Sequence, residues 1–290
     1  MKIRIISSIV ALMIFIPIVI FSGTVALPIA IAIVSVLAVF EMLRCCKVHK
    51  QIVFSLPYYL AAVLVPTYLY LSAKLKLGVP ISAVLLLLIF FFVIWTYPAA
   101  IFSKGKMPIV DAATASIGCI YALAGLNAIL YIRQFVAQGA YTFALIFIGA
   151  WITDSAAYFC GRAFGKHKLI PDVSPKKTIE GSIGGVLVCV LAFGVYGILV
   201  ESWFSDGKVM CYLPALLISA FFISIVSQIG DLAMSLLKRH YGIKDFGKIM
   251  PGHGGVLDRF DSVLAVSITL LICYAILRGV FDICFFISVI

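Results

Sequence analysis

Charge is what this sequence has least of. Asp, Glu, Lys and Arg together make up 12% of its 290 residues, whereas 64% are apolar. That shortage excludes an ordinary soluble domain, in which about a quarter of the residues are charged. Acids are rarer than bases, 12 Asp and Glu against 22 Lys and Arg, so each carboxylate inside an apolar run needs a reason. Internal repeats, low-complexity tracts and long polar linkers are also missing, which leaves no room for a separate soluble domain. The eight cysteines form no disulfide framework. Cys119, Cys160, Cys189, Cys273 and Cys284 sit in or beside apolar runs, where Cys acts as a small hydrophobe. Cys45, Cys46 and His49 lack a fourth ligand and match no zinc spacing.

What the sequence does have is long apolar runs. Mean hydropathy is +1.19, and a helix needs about 20 mostly apolar residues to cross a bilayer. Runs of that kind fall near 4–22, 24–43, 52–72, 79–97, 109–132, 138–160, 181–201, 211–237 and 262–281. The expected fold is an all-α polytopic membrane protein of about nine transmembrane helices with a polar site at its cytoplasmic face. An N-terminal part (1–108) would hold about four helices and a C-terminal part (109–290) about five. Lys2 and Arg4 before the first run, and Thr24-Val25-Ala26 after it, are also features of a secretory signal. The near-full span length and the second run directly behind it favour a first transmembrane helix instead.

With nine spans, seventeen of the 22 Lys and Arg fall on the face that holds the N-terminus. Only Lys74, Lys76, Arg133, Lys208 and Arg278 fall on the other. The positive-inside bias then puts the N-terminus in the cytoplasm, in a plasma or bacterial inner membrane. The net charge of +10 would lie where anionic headgroups and phosphorylated substrates are found. Because these charges belong to short membrane loops, nucleic acid is not an expected partner.

The polar residues gather in two segments, 154–181 and 231–261. In the first, Ser174 followed by Pro175 reads as a helix start, a side-chain cap and then proline in the first turn. Lys176, Lys177 and Thr178 would surround free N–H groups there, a seat for a phosphate chain, although two lysines equally suit a topology signal. Gly161 and Gly165 around Arg162 fit a helix C-terminal turn. Asp154 and Asp231 lie inside apolar runs and are functional candidates on that ground, a buried salt bridge being the plainer reading. Asp111 reads more simply as structural. Lys238 and Arg239 follow Asp231 by two helical turns, and Asp258 and Asp261 are spaced to face one way on a helix. Asp231, Asp258 and Asp261 could close around Mg²⁺, which takes a few carboxylates plus phosphates and water. Acids favoured by a helix dipole are the alternative for the last two. His253, set among glycines, could contact phosphate, carry a proton or hydrogen-bond a loop carbonyl.

Taken together, Ser235, Lys238, Arg239, Lys244, Asp245, Pro251, His253, Gly254, Gly255, Asp258, Arg259 and Asp261 resemble the signature of the phosphatidate cytidylyltransferase (CDP-diacylglycerol synthase) family. Met250 stands where Leu, Ile or Phe is usual. Ser174 to Gly181 is similar to that family's Ser-Pro-x-Lys-Thr-x-Glu-Gly element, preceded by Asp154, Tyr158 and Gly161. The first five apolar runs match only in hydrophobicity. The resemblance implies the reaction of CTP with phosphatidic acid to give CDP-diacylglycerol and pyrophosphate, in phospholipid biosynthesis. It implies catalytic roles for Asp231, Lys238, Arg239, His253, Asp258, Arg259 and Asp261, with Asp231, Asp258 and Asp261 on Mg²⁺. Contacts to CTP and its phosphates would come from Ser174, Lys176, Lys177, Thr178, Glu180, Lys244, Gly254 and Gly255. It leaves room for a second, monovalent cation and for a homodimer. Two other classes share some features. A CTP-dependent polyprenol or phytol kinase has a related C-terminal motif, and a secondary transporter also carries intramembrane carboxylates. Transporters, however, tend to show repeats and midplane sites, whereas the polar residues here collect at one face.

Overall fold

A computed structural model of the protein describes residues 2–76, 81–205, 208–249, 252 and 254–288. Among the described residues eight helices are long and apolar enough to cross a membrane, and α1 (Lys2–Ile20) adds a shorter apolar stretch, Ile9–Ile20. The spans are α2 (Ala26–Cys45), α3 (Ile52–Leu75), α4 (Ile81–Phe102) and α5 (Ile109–Phe135). Next comes α6 (Gly139–Phe147), joined by a π-helical turn to α7 (Thr153–Phe164), so that the two make one span. The last three are α8 (Ile179–Leu199, prolonged by a π-helical turn to Phe204), α9 (Leu213–His240) and α10 (Leu257–Phe281). Each such helix satisfies its backbone N–H and C=O groups internally, as hydrocarbon requires. Leu86, Leu87, Phe90, Ile94 and Ile101 on α4 are exposed, a surface that lipid accommodates and water does not. The molecule is an integral membrane protein.

The chain divides into two compact units. The first comprises Met1–Leu130 and His240–Phe260, the second Tyr131–Arg239 and Asp261–Ile290. In the first, α3, α4 and α5 meet at a buried hydroxyl chain. The Tyr58 hydroxyl lies 2.6 Å from Ser116 Oγ, which lies 2.6 Å from Thr96 Oγ1. The Tyr58 ring stacks on Phe92 with centroids 4.4 Å apart. Hydroxyls that would cost several kcal/mol alone in hydrocarbon thus satisfy one another.

In the second unit α7 packs closely on α8. A Cβ on Gly181 would stand 2.5 Å from the Ala157 carbonyl oxygen and 2.9 Å from the Gly161 Cα, so the two backbones approach as only small residues allow. Between them stands a two-stranded ribbon, β1 (Lys168–Ile170) against β2 (Ser174–Thr178). At the unit's other end β3 (Val209–Cys211), just before α9, pairs with β4 (Phe286–Ser288), which follows α10.

The ribbon corrects one expectation. Ser174 and Pro175 do not open a helix; they belong to β2, and α8 starts at Ile179 with Thr178 as its cap. Thr178 has extended backbone and its Oγ1 accepts a hydrogen bond from Gly181 N at 3.2 Å. The residue before a proline avoids the helical region, and proline is tolerated in a strand with an open edge. Strand pairing with β1 therefore prevails over a capping pattern that Thr178 serves equally well. α7 does end at Phe164, beside Gly165, but Gly165 is extended (φ −67°, ψ 117°) and makes no left-handed turn.

Candidate functional site

In the second unit the rare acids converge. Asp154 on α7, Asp231 on α9 and Asp261 near the start of α10 lie within electrostatic reach of one another. Asp154 Oδ2 accepts a hydrogen bond from Ser262 Oγ at 2.9 Å, and Asp261 Oδ1 accepts one from Ser262 N at 2.9 Å. Lys177, the penultimate residue of β2, reaches in from the ribbon to put Nζ 2.6 Å from Asp231 Oδ2. The contact is a short ion pair, and the ammonium nitrogen is buried in it. Lys238, two turns along α9 from Asp231, is 8% exposed and lies in the field of Asp261. The cluster therefore sets three carboxylates against two lysines. A net negative charge inside membrane-spanning helices is costly, and the excess suits one more cation with a preference for hard oxygen donors.

Around this cluster Gln228 Nε2 donates to the Ser182 carbonyl at 3.3 Å, and Thr153 Oγ1 donates to Ser224 Oγ at 3.0 Å. These bonds tie α9 to α8 and to the start of α7. Thr178 is buried in its capping role, whereas Lys176 and Arg239 are exposed. Glu180 is engaged by His167, whose Nδ1 is 2.6 Å from Oε1 and whose backbone N–H also points at the carboxylate. That bond closes the foot of the ribbon.

The first unit holds the glycine-rich part of the signature. Asp258 Oδ2 accepts from Phe246 N at 2.7 Å and from Gly255 N at 2.9 Å, fastening the segment in front of α10. Gly254 has φ +91°, and a Cβ there would stand 2.8 Å from Asp258 Oδ2, so glycine is required on both conformational and spatial grounds. Lys244 and Arg259 are exposed. Tyr241 donates to Asp111 Oδ1 at 2.8 Å, which gives Asp111 a structural partner. His253 lies outside the described residues.

Of the acids expected on a metal, Asp231 and Asp261 fall in the second unit and Asp258 in the first. Among the described residues no group of three or more His, Cys, Asp or Glu is disposed to hold a metal ion by itself. Two carboxylates are enough for Mg²⁺ when substrate phosphates and water complete the octahedron. The donor chemistry of Asp231 and its neighbours therefore fits, with Lys177 sharing Asp231.

The sequence reading missed two residues in the first unit, Glu41 and Arg44 on α2. Glu41 is fully buried, and its carboxylate accepts from Val256 N at 3.0 Å and Leu257 N at 2.8 Å. Arg44 Nη2 donates to the Phe246 carbonyl at 2.6 Å. The available signal was an acid inside a span, the same one that singled out Asp154 and Asp231.

Comparison with known proteins gives the chain its relatives. Residues 2–277 match the model of the cytidylyltransferase family. A phosphatidate cytidylyltransferase of Staphylococcus haemolyticus is 36% identical over 268 residues, covering 92% of this chain and 96% of that one. Its counterpart in Staphylococcus aureus (strain COL) is 34% identical over 266 residues with the same coverage. That of Staphylococcus saprophyticus is 40% identical over 175 residues, or 60% of this chain and 63% of that one.

Proposed function

The chain belongs to the cytidylyltransferase family, and from that premise we propose that it transfers the cytidylyl group of CTP to phosphatidic acid. The observation that carries the reading to particular residues is the cluster of Asp154, Asp231 and Asp261 with Lys177 and Lys238. A phosphate oxygen of the lipid attacks the α-phosphorus of CTP. The bond from that phosphorus to the oxygen bridging to the β-phosphate breaks, and pyrophosphate leaves with the electron pair. The lipid phosphate is already nucleophilic near neutral pH, so the site's task is to align two polyanions and hold the charge that develops. Lys177, paired with Asp231 across 2.6 Å, can turn its ammonium to a phosphate oxygen once a cation takes over Asp231, and Lys238 supplies a second positive charge. Asp231 and Asp261 would hold Mg²⁺, and Asp258 remains a candidate from the signature. When bound, the ion neutralises the triphosphate and the leaving group. Lys244, Arg239 and Arg259, all exposed, suit phosphate binding, and Gly254 and Gly255 let backbone approach an anion.

The acyl chains stay in the bilayer while the headgroup meets these residues at interface depth. Asp231 stands nine residues from the end of α9, roughly 14 Å along the helix, in the half of the span that ends beside the ribbon. We place this face in the cytoplasm, where CTP is made.

The test uses purified protein in detergent with phosphatidic acid, Mg²⁺ and each of four nucleoside triphosphates in turn. Pyrophosphate release and CDP-diacylglycerol with CTP alone are expected, and EDTA should abolish both. Phosphorylation of a polyprenol with release of CDP would replace this reading with a kinase. Turnover undiminished in EDTA would remove the metal.

A further inference from the structure

We propose that Glu41 and Arg44 are positioning residues that hold the two described ends of the glycine-rich segment, 246–249 and 254–258, in the arrangement cytidylyl transfer requires. The two lie three residues apart on α2, on one face of the helix. They grip both ends of the segment. Arg44 Nη2 binds the Phe246 carbonyl at 2.6 Å, and the Glu41 carboxylate takes the N–H groups of Val256 and Leu257 at 3.0 and 2.8 Å. Asp258 links the same two ends by accepting from Phe246 N and Gly255 N. No Cβ fits on Gly247 or Gly255, because the Glu41 carboxylate lies directly against both.

Three physical points separate this arrangement from ordinary packing. A fully buried carboxylate inside a span is expensive unless it is hydrogen-bonded, so its placement here reflects the segment it binds. The N–H groups it takes are those at the start of α10, which lack helical partners and sit at the positive end of the helix dipole. The end of the segment that it fixes carries Asp258 and is followed at once by Arg259, both in the same unit. Residues that touch neither nucleotide nor lipid would thus set the geometry of those that do, and a shift of about 1 Å in such a frame can cost 10²-fold in rate.

The inference rests on the cytidylyltransferase reading for its kinetic arm and on nothing but the geometry for its exchange arm. Hydrogen exchange is measured on the full-length protein in detergent, wild type and Glu41→Gln, Glu41→Ala, Arg44→Ala and Arg44→Lys. Glu41→Ala should speed exchange of the Val256 and Leu257 amides at least about tenfold while α3 is unchanged, a local opening. Glu41→Gln, equal in size, keeps one acceptor oxygen and should show a smaller rise, and it serves if Glu41→Ala does not fold. Kinetics are expressed per folded molecule. Glu41→Ala and Arg44→Ala should lower kcat at least about tenfold with KM for phosphatidic acid within about twofold. Arg44→Lys, which restores a donor for the Phe246 carbonyl, should recover most of that loss. Unchanged exchange at Val256 and Leu257 overturns the proposal, and so does a loss of activity that vanishes once folded protein is counted. Wild-type protein inert toward CTP would refute the cytidylyltransferase reading, and the exchange result would still decide whether Glu41 and Arg44 fix the segment.

Discussion

At the scale of single side chains, Lys177 and Asp231 carry the most consequential contact in the second unit. Lys177 Nζ is buried, 2.6 Å from Asp231 Oδ2. An arriving phosphate offers this ammonium an anionic partner in place of the carboxylate, provided a cation takes over Asp231. Lys177→Ala should therefore raise KM for CTP well above any effect on phosphatidic acid, measured by varying each substrate at saturation of the other. A rise in KM at constant kcat would mean the contact serves substrate and transition state alike, and a fall in kcat would place it on the departing pyrophosphate. An effect confined to the lipid axis would move Lys177 to the headgroup. Asp231→Asn should leave a folded protein, with the same melting profile in detergent, that retains less than about a tenth of the activity. Asp258 calls for two substitutions, because its Oδ2 already accepts two backbone N–H groups. Asn at 258 keeps an acceptor oxygen, whereas Ala leaves two buried donors unmet at about 1–3 kcal/mol each. Asp258→Ala should melt at a clearly lower temperature than Asp258→Asn. If Asp258→Asn melts like wild type yet turns over poorly, its charge matters beyond the loop it fastens.

Among the elements, the approach of α7 to α8 is the least tolerant of change. Gly181→Val would drive a side chain into the Ala157 carbonyl and the Gly161 Cα. Overpacking costs about 1–3 kcal/mol even where side chains can yield, and here the obstacles are backbone. The expected outcome is little folded protein on size exclusion, whereas Ile183→Val, at an exposed position two residues on, should behave as wild type. The helices themselves were legible in the sequence, because hydropathy registers what a bilayer requires of a span. Their polar ends were not. The last apolar run begins at 262, but α10 starts at Leu257, since Asp258, Arg259 and Asp261 in its first turns lower local hydropathy without disturbing helical geometry. Ser174 and Thr178 compete for the same capping role in sequence, and only pairing with β1, a contact made through the chain reversal at Asp172, decides between them. Asp154 and Asp231 could be singled out because acids are rare in spans. Glu41 satisfies the same rule, yet its partners lie more than 200 residues away, and separation of that kind leaves no local trace.

The fold of the whole molecule bears on its orientation through the second unit. The β1–β2 ribbon marks one end of this unit, where α7 finishes, α8 begins, α9 finishes and α10 begins. The pairing of β3 with β4 fixes the other end, since it joins the approach to α9 with the exit from α10. The ribbon end carries Arg162, Lys166, Lys168, Lys176, Lys177, Lys238 and Arg239, and the opposite end only Arg133, Lys208 and Arg278. Arg278 is moreover paired with Asp282 at 2.6 Å. Lys and Arg in short loops are retained on the cytoplasmic side during insertion, so the ribbon end should face the cytoplasm and β4 the opposite side. The proposed use of CTP asks for the same orientation, because the ribbon's Lys177 is the residue paired with Asp231. A green fluorescent protein inserted at the exposed turn residue Asp172 should therefore fluoresce, and alkaline phosphatase fused after Ile290 should be active outside the cytoplasm. Exchanging the two reporters should silence both. If the same reporter works at both positions, an odd number of spans cannot separate Asp172 from the C-terminus, and the helix order of the second unit as well as the cytoplasmic placement of its carboxylates would have to be abandoned.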